Sequence, residues 1–285
     1  MTGDAAPAVL GRPIAGPTAL GTDPRRMLQL SVTLAYMEFK LRFFGSALGY
    51  VWQLMRPLML FGVLYAVFTQ FVKLGADVRY YPAILLLGIV VFTFFADSTS
   101  GAVTSVVDRE SLVRKIEFPR LVVPLSVILT AFFNLTLNLV AVLIFVLAAG
   151  VEPRAQWLLL PFFLLAIALF AFGLAMLLSA AYVRFRDVKP IWEVLLQVIF
   201  YGSPILYVME KIPNADIQRL IVILNPLATT LVQMRASLID PAAPNAWDAA
   251  GGAGLLAIPV AIFVAVVVLG FWYFSREAPR IAEEL

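Results

Sequence analysis

The sequence predicts an all-α integral membrane protein: six transmembrane helices, preceded by an amphipathic helix in the membrane interface. Three observations predict it. Hydrophobic residues make up 62% of the 285-residue chain and charged residues only 14%, with a mean hydropathy of +0.93. A water-soluble domain carries about 25% charged residues, so this chain has too little polar side chain to cover a surface in water. Second, six apolar runs approach the roughly 20 residues that a span requires: 49–72, 82–106, 121–148, 157–181, 190–208 and 254–274. Third, of the 21 Lys and Arg residues, fifteen fall in the segments on the side of the termini and six on the other side. By the positive-inside rule both termini are then cytoplasmic.

Residues 1–25 are rich in Ala, Pro, Gly and Thr, show no periodicity and are expected to be a disordered cytoplasmic tail. No apolar stretch follows a basic one there, so they do not read as a signal peptide. Residues 26–285 read as one transmembrane domain. At 26–44, Met27, Leu30, Leu34, Met37, Leu41 and Phe44 recur at helical spacing on one face, and a second apolar face holds Leu28, Val32, Ala35 and Phe39. Glu38 and Arg42 form an i,i+4 pair between these faces. Such a helix lies in the interface plane; a simple surface anchor and a functional gate both fit.

The cytoplasmic loop 108–120, DRESLVRKIEFPR, is compact, charged and carries a candidate short helix that Pro119 ends. An ordinary positive-inside loop has the same composition. The fifth run is the shortest, and Ser203-Pro204 near its end is a potential break. Residues 209–250 hold two apolar runs separated by Asn225-Pro226, each too short to span. Either they dip into the outer leaflet and return, or they form a folded outer loop. Trp157, Tyr80, Tyr81, Tyr201 and Tyr207 fall near the outer interface and Trp52, Trp192 and Trp272 near the inner one, as aromatic belts do.

Inside the spans, Asp97 is followed by Ser98, Thr99 and Ser100. A carboxylate at membrane depth faces protein or water, so Asp97 lines a hydrated path or makes a helix–helix hydrogen bond. Thr130, Asn134 and Asn138 recur one turn apart, a pattern that joins helices. Ala171, Ala175 and Ser179 form a small-residue ridge suited to close packing or dimerisation. Arg56, a turn or two into the first span, is expected to snorkel to the inner surface. With no histidine and no cysteine, the chain excludes His-dependent hydrolases, thiolate metal sites and disulfides. It also lacks the GxxxxGK[ST] phosphate loop, so active transport would draw on an ion gradient or on another subunit.

Five segments in order resemble the membrane subunit of type-2 ABC exporters, in the branch that exports lipid-linked polysaccharides such as O-antigens, teichoic acids and galactans. They are FKLRFFGSALGYVWQLMRPLM (39–59), SLVRKIEFPRLVVPL (111–125), RFRDV (184–188), SPILY (203–207) and LNPLATTLVQMRASL (224–238). The chain departs from the pattern at Arg56, where the family often has Asn, and near Arg109 and Glu110. The resemblance implies a multi-pass permease of the bacterial cytoplasmic membrane, working as a homodimer with two copies of an ATPase. That partner would bind ATP and magnesium, leaving this chain without cofactor, metal, catalytic residues or nucleic-acid partner. Glu38, Lys40 and Arg42 would belong to a cytoplasmic gate helix. Ser111, Leu112, Val113, Arg114, Lys115, Ile116, Glu117, Phe118, Pro119 and Arg120 would couple to the ATPase. The 209–238 segment would form short re-entrant outer gate helices. For a glycan path, Phe94, Phe95, Asp97 and Ser98 on the second span and Phe200, Tyr201, Ser203 and Tyr207 on the fifth offer aromatic faces beside polar groups. A small-drug exporter of the same family, and an ion-coupled secondary transporter with Asp97 as its proton site, are the alternatives.

Overall fold

The computed structural model describes residues 18–21, 23–43, 49–73, 75, 77–111 and 118–281. Among them it is helical without strands. In chain order the helices are α1 (Pro24–Phe43), α2 (Gly49–Ala66, prolonged by a π-helical turn, Val67–Phe71), α3 (Tyr81–Asp108), α4 (Val122–Ala148) and α5 (Leu160–Arg184). Then come α6 (Val188–Tyr201), α7 (Ala215–Leu224), α8 (Pro226–Leu238), α9 (Ala246–Ala250) and α10 (Ala257–Glu277). Among the described residues, five segments are long and apolar enough to cross a membrane: 51–71, 81–108, 122–148, 155–184 and 253–277.

Contacts sort the residues to two ends of the bundle. At one end Thr130 donates to the Ala35 carbonyl, Glu38 pairs with Arg109, and Arg184 approaches Glu277 at 3.9 Å. At the other end the Tyr81 hydroxyl donates to the Leu206 carbonyl (2.8 Å), Lys211 reaches Asp77 (3.6 Å), and Trp157 Nε1 donates to the Leu238 carbonyl (2.9 Å). The chain therefore passes from the first end to the second through α2, back through α3, and so on. The fifth passage is α6 plus residues 202–208.

That fifth passage differs from the expected helix over 190–208. It is helical only to Tyr201, 14 residues, after which Gly202, Ser203 and Pro204 turn the chain. Non-helical backbone at membrane depth is tolerated only where protein covers it. Ser203, Ile205 and Leu206 are buried here, and the hydrogen bond from Tyr81 satisfies one of the freed carbonyls.

Helices α7 and α8 meet at 108°. The break sits at Asn225-Pro226: the Asn225 side chain accepts from the amides of Leu227 and Ala228, and Pro226 opens α8 without needing a donor. The segment just before the pair, at Lys211, and the end of α8, at Leu238, both contact the same end of the bundle, so the pair enters and returns.

The core is built on α3, which packs against α2, α4, α5 and α6. Helix α10 packs on α5 through two glycines. A Cβ on Gly270 would lie 2.1 Å from the Gly173 carbonyl oxygen, and one on Gly173 would lie 2.8 Å from the Val267 Cα. Ala171, Ala175 and Ser179, the expected ridge, are fully buried in the same helix. Thr130, Asn134 and Asn138 are buried too, and Asn138 donates to the Asn134 carbonyl.

Two expectations are corrected. Residues 18–21 and 23–25 are not a disordered tail: Ala19 is buried against Phe118 and Leu121, its carbonyl accepts from the Leu121 amide at 3.1 Å, and α1 already begins at Pro24. Trp192 does not sit in an interfacial belt but is buried, donating to Thr99 Oγ1 at 3.1 Å.

The glycine contact yields a test. Gly270→Ala must separate α5 from α10, and overpacking of this kind costs about 1–3 kcal/mol; Gly62→Ala, whose Cβ meets nothing within 4 Å, is expected to be near neutral. Melting temperatures of the two variants in detergent check the contrast.

Candidate functional site

Helices α2 and α6 flank α3 but leave a strip of it uncovered, and a groove runs along that strip. Its middle, about 680 Å³, lies between Arg56, Leu60 and Leu64 on α2, Phe92 and Asp97 on α3, and Phe200 and Tyr201 on α6. Toward the α1 end it continues into a cleft of about 470 Å³ bounded by Arg42, Trp52, Gln53, Arg56, Asp97 and Ser100. Beyond that, a smaller pocket of about 190 Å³ is lined by Glu38, Arg42, Asp97, Asp108 and Arg109. Asp97 borders all three. The groove is thus charged at the α1 end and aromatic beyond it.

Helical phase decides which α3 residues reach the groove. Phe92, Thr93, Ala96 and Asp97 face it. Phe94, Phe95 and Ser98, expected on the path, are buried in the opposite faces. Phe95 stacks on Phe170 at 5.8 Å and Phe94 meets Phe132 edge-on at 5.9 Å. On α6, Phe200 packs edge-on against Phe92 at 4.9 Å, and Tyr201 is 67% exposed in the groove. Ser203 is fully buried; its hydroxyl donates to the Ile199 carbonyl and accepts from Asn225. Tyr207 lies outside the groove, in a small cavity with Met209 and Arg235. Sequence reasoning missed Gln53 and Gln197 as groove residues, though a lone amide in an apolar run was the available signal.

At the α1 end, Arg109 joins three elements: it pairs with Glu38 of α1 and donates to the Val123 carbonyl at the start of α4 (3.3 Å). Lys40 and Arg42 are exposed. Of the expected coupling segment, Leu112, Val113, Arg114, Lys115, Ile116 and Glu117 lie outside the described residues. Ser111 is exposed, whereas Phe118 and Arg120 are buried, with the Arg120 guanidinium 5.6 Å from the Phe118 ring centre. These two hold the segment to the bundle rather than offering a surface.

At the opposite end, Arg235 of α8 makes a bidentate pair with Glu210 (2.7 and 2.8 Å) and approaches Asp240 at 3.6 Å. Burial pulls the Glu210 carboxyl upward, but hydrogen bonds from Arg235 and from its own backbone, with the Arg235 charge, outweigh this and hold it below the usual carboxylate range. The pair clamps the stretch after the fifth passage to the re-entrant helices.

Residues 29–239 match the family described as ABC-2 type transporter. The chain is 30% identical over 217 residues to the O-antigen export system permease protein RfbA of Myxococcus xanthus, covering 76% of this chain and 83% of that protein. It is 24% identical over 262 residues to an O-antigen export system permease protein RfbA of Klebsiella pneumoniae, covering 91% and 96% respectively. A second Klebsiella pneumoniae protein of that name is 26% identical over 210 residues.

The Glu210 clamp predicts a pH dependence. Its folded carboxyl titrates below the unfolded one, so its stabilisation is present above the ordinary glutamate value of about 4.3 and is lost as pH falls through the folded value. Glu210→Gln is expected to lower the melting temperature at pH 7, and the gap to the parent protein should begin to narrow only below the ordinary glutamate value of about 4.3 and close as pH falls through the folded value. A gap that stays constant shows that the pair contributes nothing through its charge.

Proposed function

This chain belongs to the ABC-2 type transporter family, and on that premise we propose that it is the permease subunit of an ABC exporter that moves a lipid-linked polysaccharide across the bacterial cytoplasmic membrane. The observation that carries the reading is the groove between α2 and α6: open along the side of the bundle, charged at one end and aromatic beyond. An amphiphile with a long polar chain needs a lateral opening for its lipid and a path whose walls suit sugars. Aromatic rings cover the apolar faces of sugars while polar neighbours meet their hydroxyls; Tyr201, Phe200 and Phe92 beside Gln197 and Thr93 supply that mixture. The names of the relatives point the same way. A small-drug pocket would be apolar throughout, and Arg42, Arg56 and Asp97 at the groove's entry oppose that alternative.

Energy comes from a separate ATPase, which binds ATP and magnesium; residues 111–120 are the joint, with Ser111 exposed three residues beyond the end of α3. Two copies of the chain and two ATPases make the transporter. Helix α2 supports this arrangement, since only 11% of its spanning window is buried, and a second copy against it would close the groove. The end carrying α1 is cytoplasmic, which agrees with the fifteen-to-six excess of basic residues on that side.

Depleting the chain in its host should remove glycan from the surface and leave lipid-linked glycan on the cytoplasmic side. Tyr201→Ala should lower export more than Tyr207→Ala, because only Tyr201 borders the groove. Unchanged surface glycan with a new sensitivity to small toxic compounds would turn the assignment to drug export. Because the native chain has no cysteine, single cysteines report its sidedness. Arg154→Cys and Asn214→Cys should react with an impermeant thiol reagent in intact cells, and Asp187→Cys should not; the reverse pattern inverts the topology.

A further inference from the structure

Both flanks of the segment proposed as the ATPase joint are held by the N-terminal stretch of the chain itself. On the α3 side, Arg109 pairs with Glu38 of α1. On the α4 side, residues 118–121 meet Ala19 and Gly21, which stand just ahead of α1. The Leu121 amide, at the N-cap of α4, donates to the Ala19 carbonyl at 3.1 Å. Amides at a helix start have no acceptor inside their own helix, so this one is met from far away in sequence. Gly21 lies against the Pro119 ring: a Cβ on it would sit 2.6 Å from the Pro119 Cγ. Ala19 is buried with Phe118, Leu121, Phe274, Ala278 and Ile281 in a cluster separate from the main core.

The path of residues 18–21 is itself fixed. The Thr18 hydroxyl accepts from the Gly21 amide at 3.0 Å, closing a turn in which Gly21 has a φ of +66°. Asp23 then accepts from the Arg25 and Met27 amides, and α1 begins. Position 21 needs a left-handed backbone and no Cβ, and only glycine supplies both without strain. We propose that residues 18–21 are a strap that positions the ATPase joint, with Gly21 as its positioning residue. The strap fixes the α4 flank of the joint, so that a push from the ATPase is taken up at the Arg109 flank. The proposal rests on the reading of residues 111–120 as that joint.

The test uses the full chain, in nanodiscs for hydrogen exchange and in its host for export. Asparagine tolerates the left-handed φ of position 21 but brings a Cβ onto Pro119. In Gly21→Asn, amide exchange over residues 120–123 should rise about five-fold or more, the worth of one hydrogen bond. Exchange in α8 should match the parent protein. Glycan export per molecule in the membrane should fall. Pro119→Ala removes the Cγ that a side chain at position 21 would meet. In that background Gly21→Asn should lower export little, a compensation that general destabilisation does not produce. Leu20→Ala, whose side chain is exposed, should match the parent in exchange and in export. Deletion of residues 2–21 carries the comparison if Gly21→Asn does not accumulate. Unchanged exchange over 120–123 in the deletion overturns the strap. Faster exchange with full export, where Ile116→Asp abolishes export, leaves the joint standing and defeats the positioning role alone. Normal export by Ile116→Asp defeats the reading of the joint, whatever the exchange shows.

Discussion

The burial of α3 is the constraint from which the rest of this architecture follows. Within its spanning window 72% of residues are buried, against 11% for α2 and for the final span. A helix so enclosed must be covered on nearly all sides, and α4, α5 and α6 do this with large side chains: Phe95 between Phe170 and Trp192, Phe94 against Phe132. The one face they leave is the strip through Phe92, Thr93, Ala96 and Asp97. The groove is the consequence of that incomplete covering, and its polarity is that of the strip.

The fifth passage obeys a second rule, that backbone groups at membrane depth need partners. A 14-residue helix is about 21 Å long at 1.5 Å per residue, short of a bilayer core of about 30 Å. The remaining distance is covered by turns, and their groups are satisfied by residues far away in sequence: Tyr81 for the Leu206 carbonyl and Asn225 for the Ser203 hydroxyl. Asn225 serves twice, since its carbonyl oxygen also caps α8. The broken crossing and the bent re-entrant pair are therefore joined through one side chain, and the Glu210–Arg235 clamp closes the same junction from the other side.

Composition and run length made the spans legible, because hydrophobic length is a property of a segment and needs no partner to be seen. Five of them lie within a few residues of the apolar runs. Facing was not legible to the same degree. In a helix apolar on every side, periodicity does not distinguish core from groove, so Phe94 and Phe95 looked as suitable for a path as Phe92 and Thr93 do in the structure. Asp97 was found because a carboxylate in a span is conspicuous whatever its phase. The break at Gly202 was signalled by Ser203-Pro204, yet its cost could not be judged without knowing that Tyr81 and Asn225 cover it. The Gly173–Gly270 contact was hidden for the same reason: a small-residue pattern on one helix shows that something approaches closely, not which helix does.

The two ends of the groove are held in different ways, and the difference bears on how it opens. At the end opposite α1 the Glu210–Arg235–Asp240 network, the Trp157 hydrogen bond and the Asn225 cap fix α8 to neighbours on several elements. At the α1 end the bundle depends on fewer side chains. Arg109, at the terminus of α3, touches both Glu38 of α1 and the Val123 carbonyl of α4, and Thr130 adds a bond to the Ala35 carbonyl. Residue 109 also stands directly before Glu110 and Ser111, where the chain leaves α3 for the segment proposed above as the joint to an ATPase. On that proposal, displacement of the segment is delivered first to Arg109. From there it reaches α1 and α4 together, and α1 carries Arg42 at the mouth of the groove. Because α8 is tied through Arg235 to two carboxylates and through its cap and Leu238 to other elements, while α1 is held by the Glu38–Arg109 pair and the Thr130 bond, motion admitted at Arg109 reaches the α1 end of the groove before the opposite end.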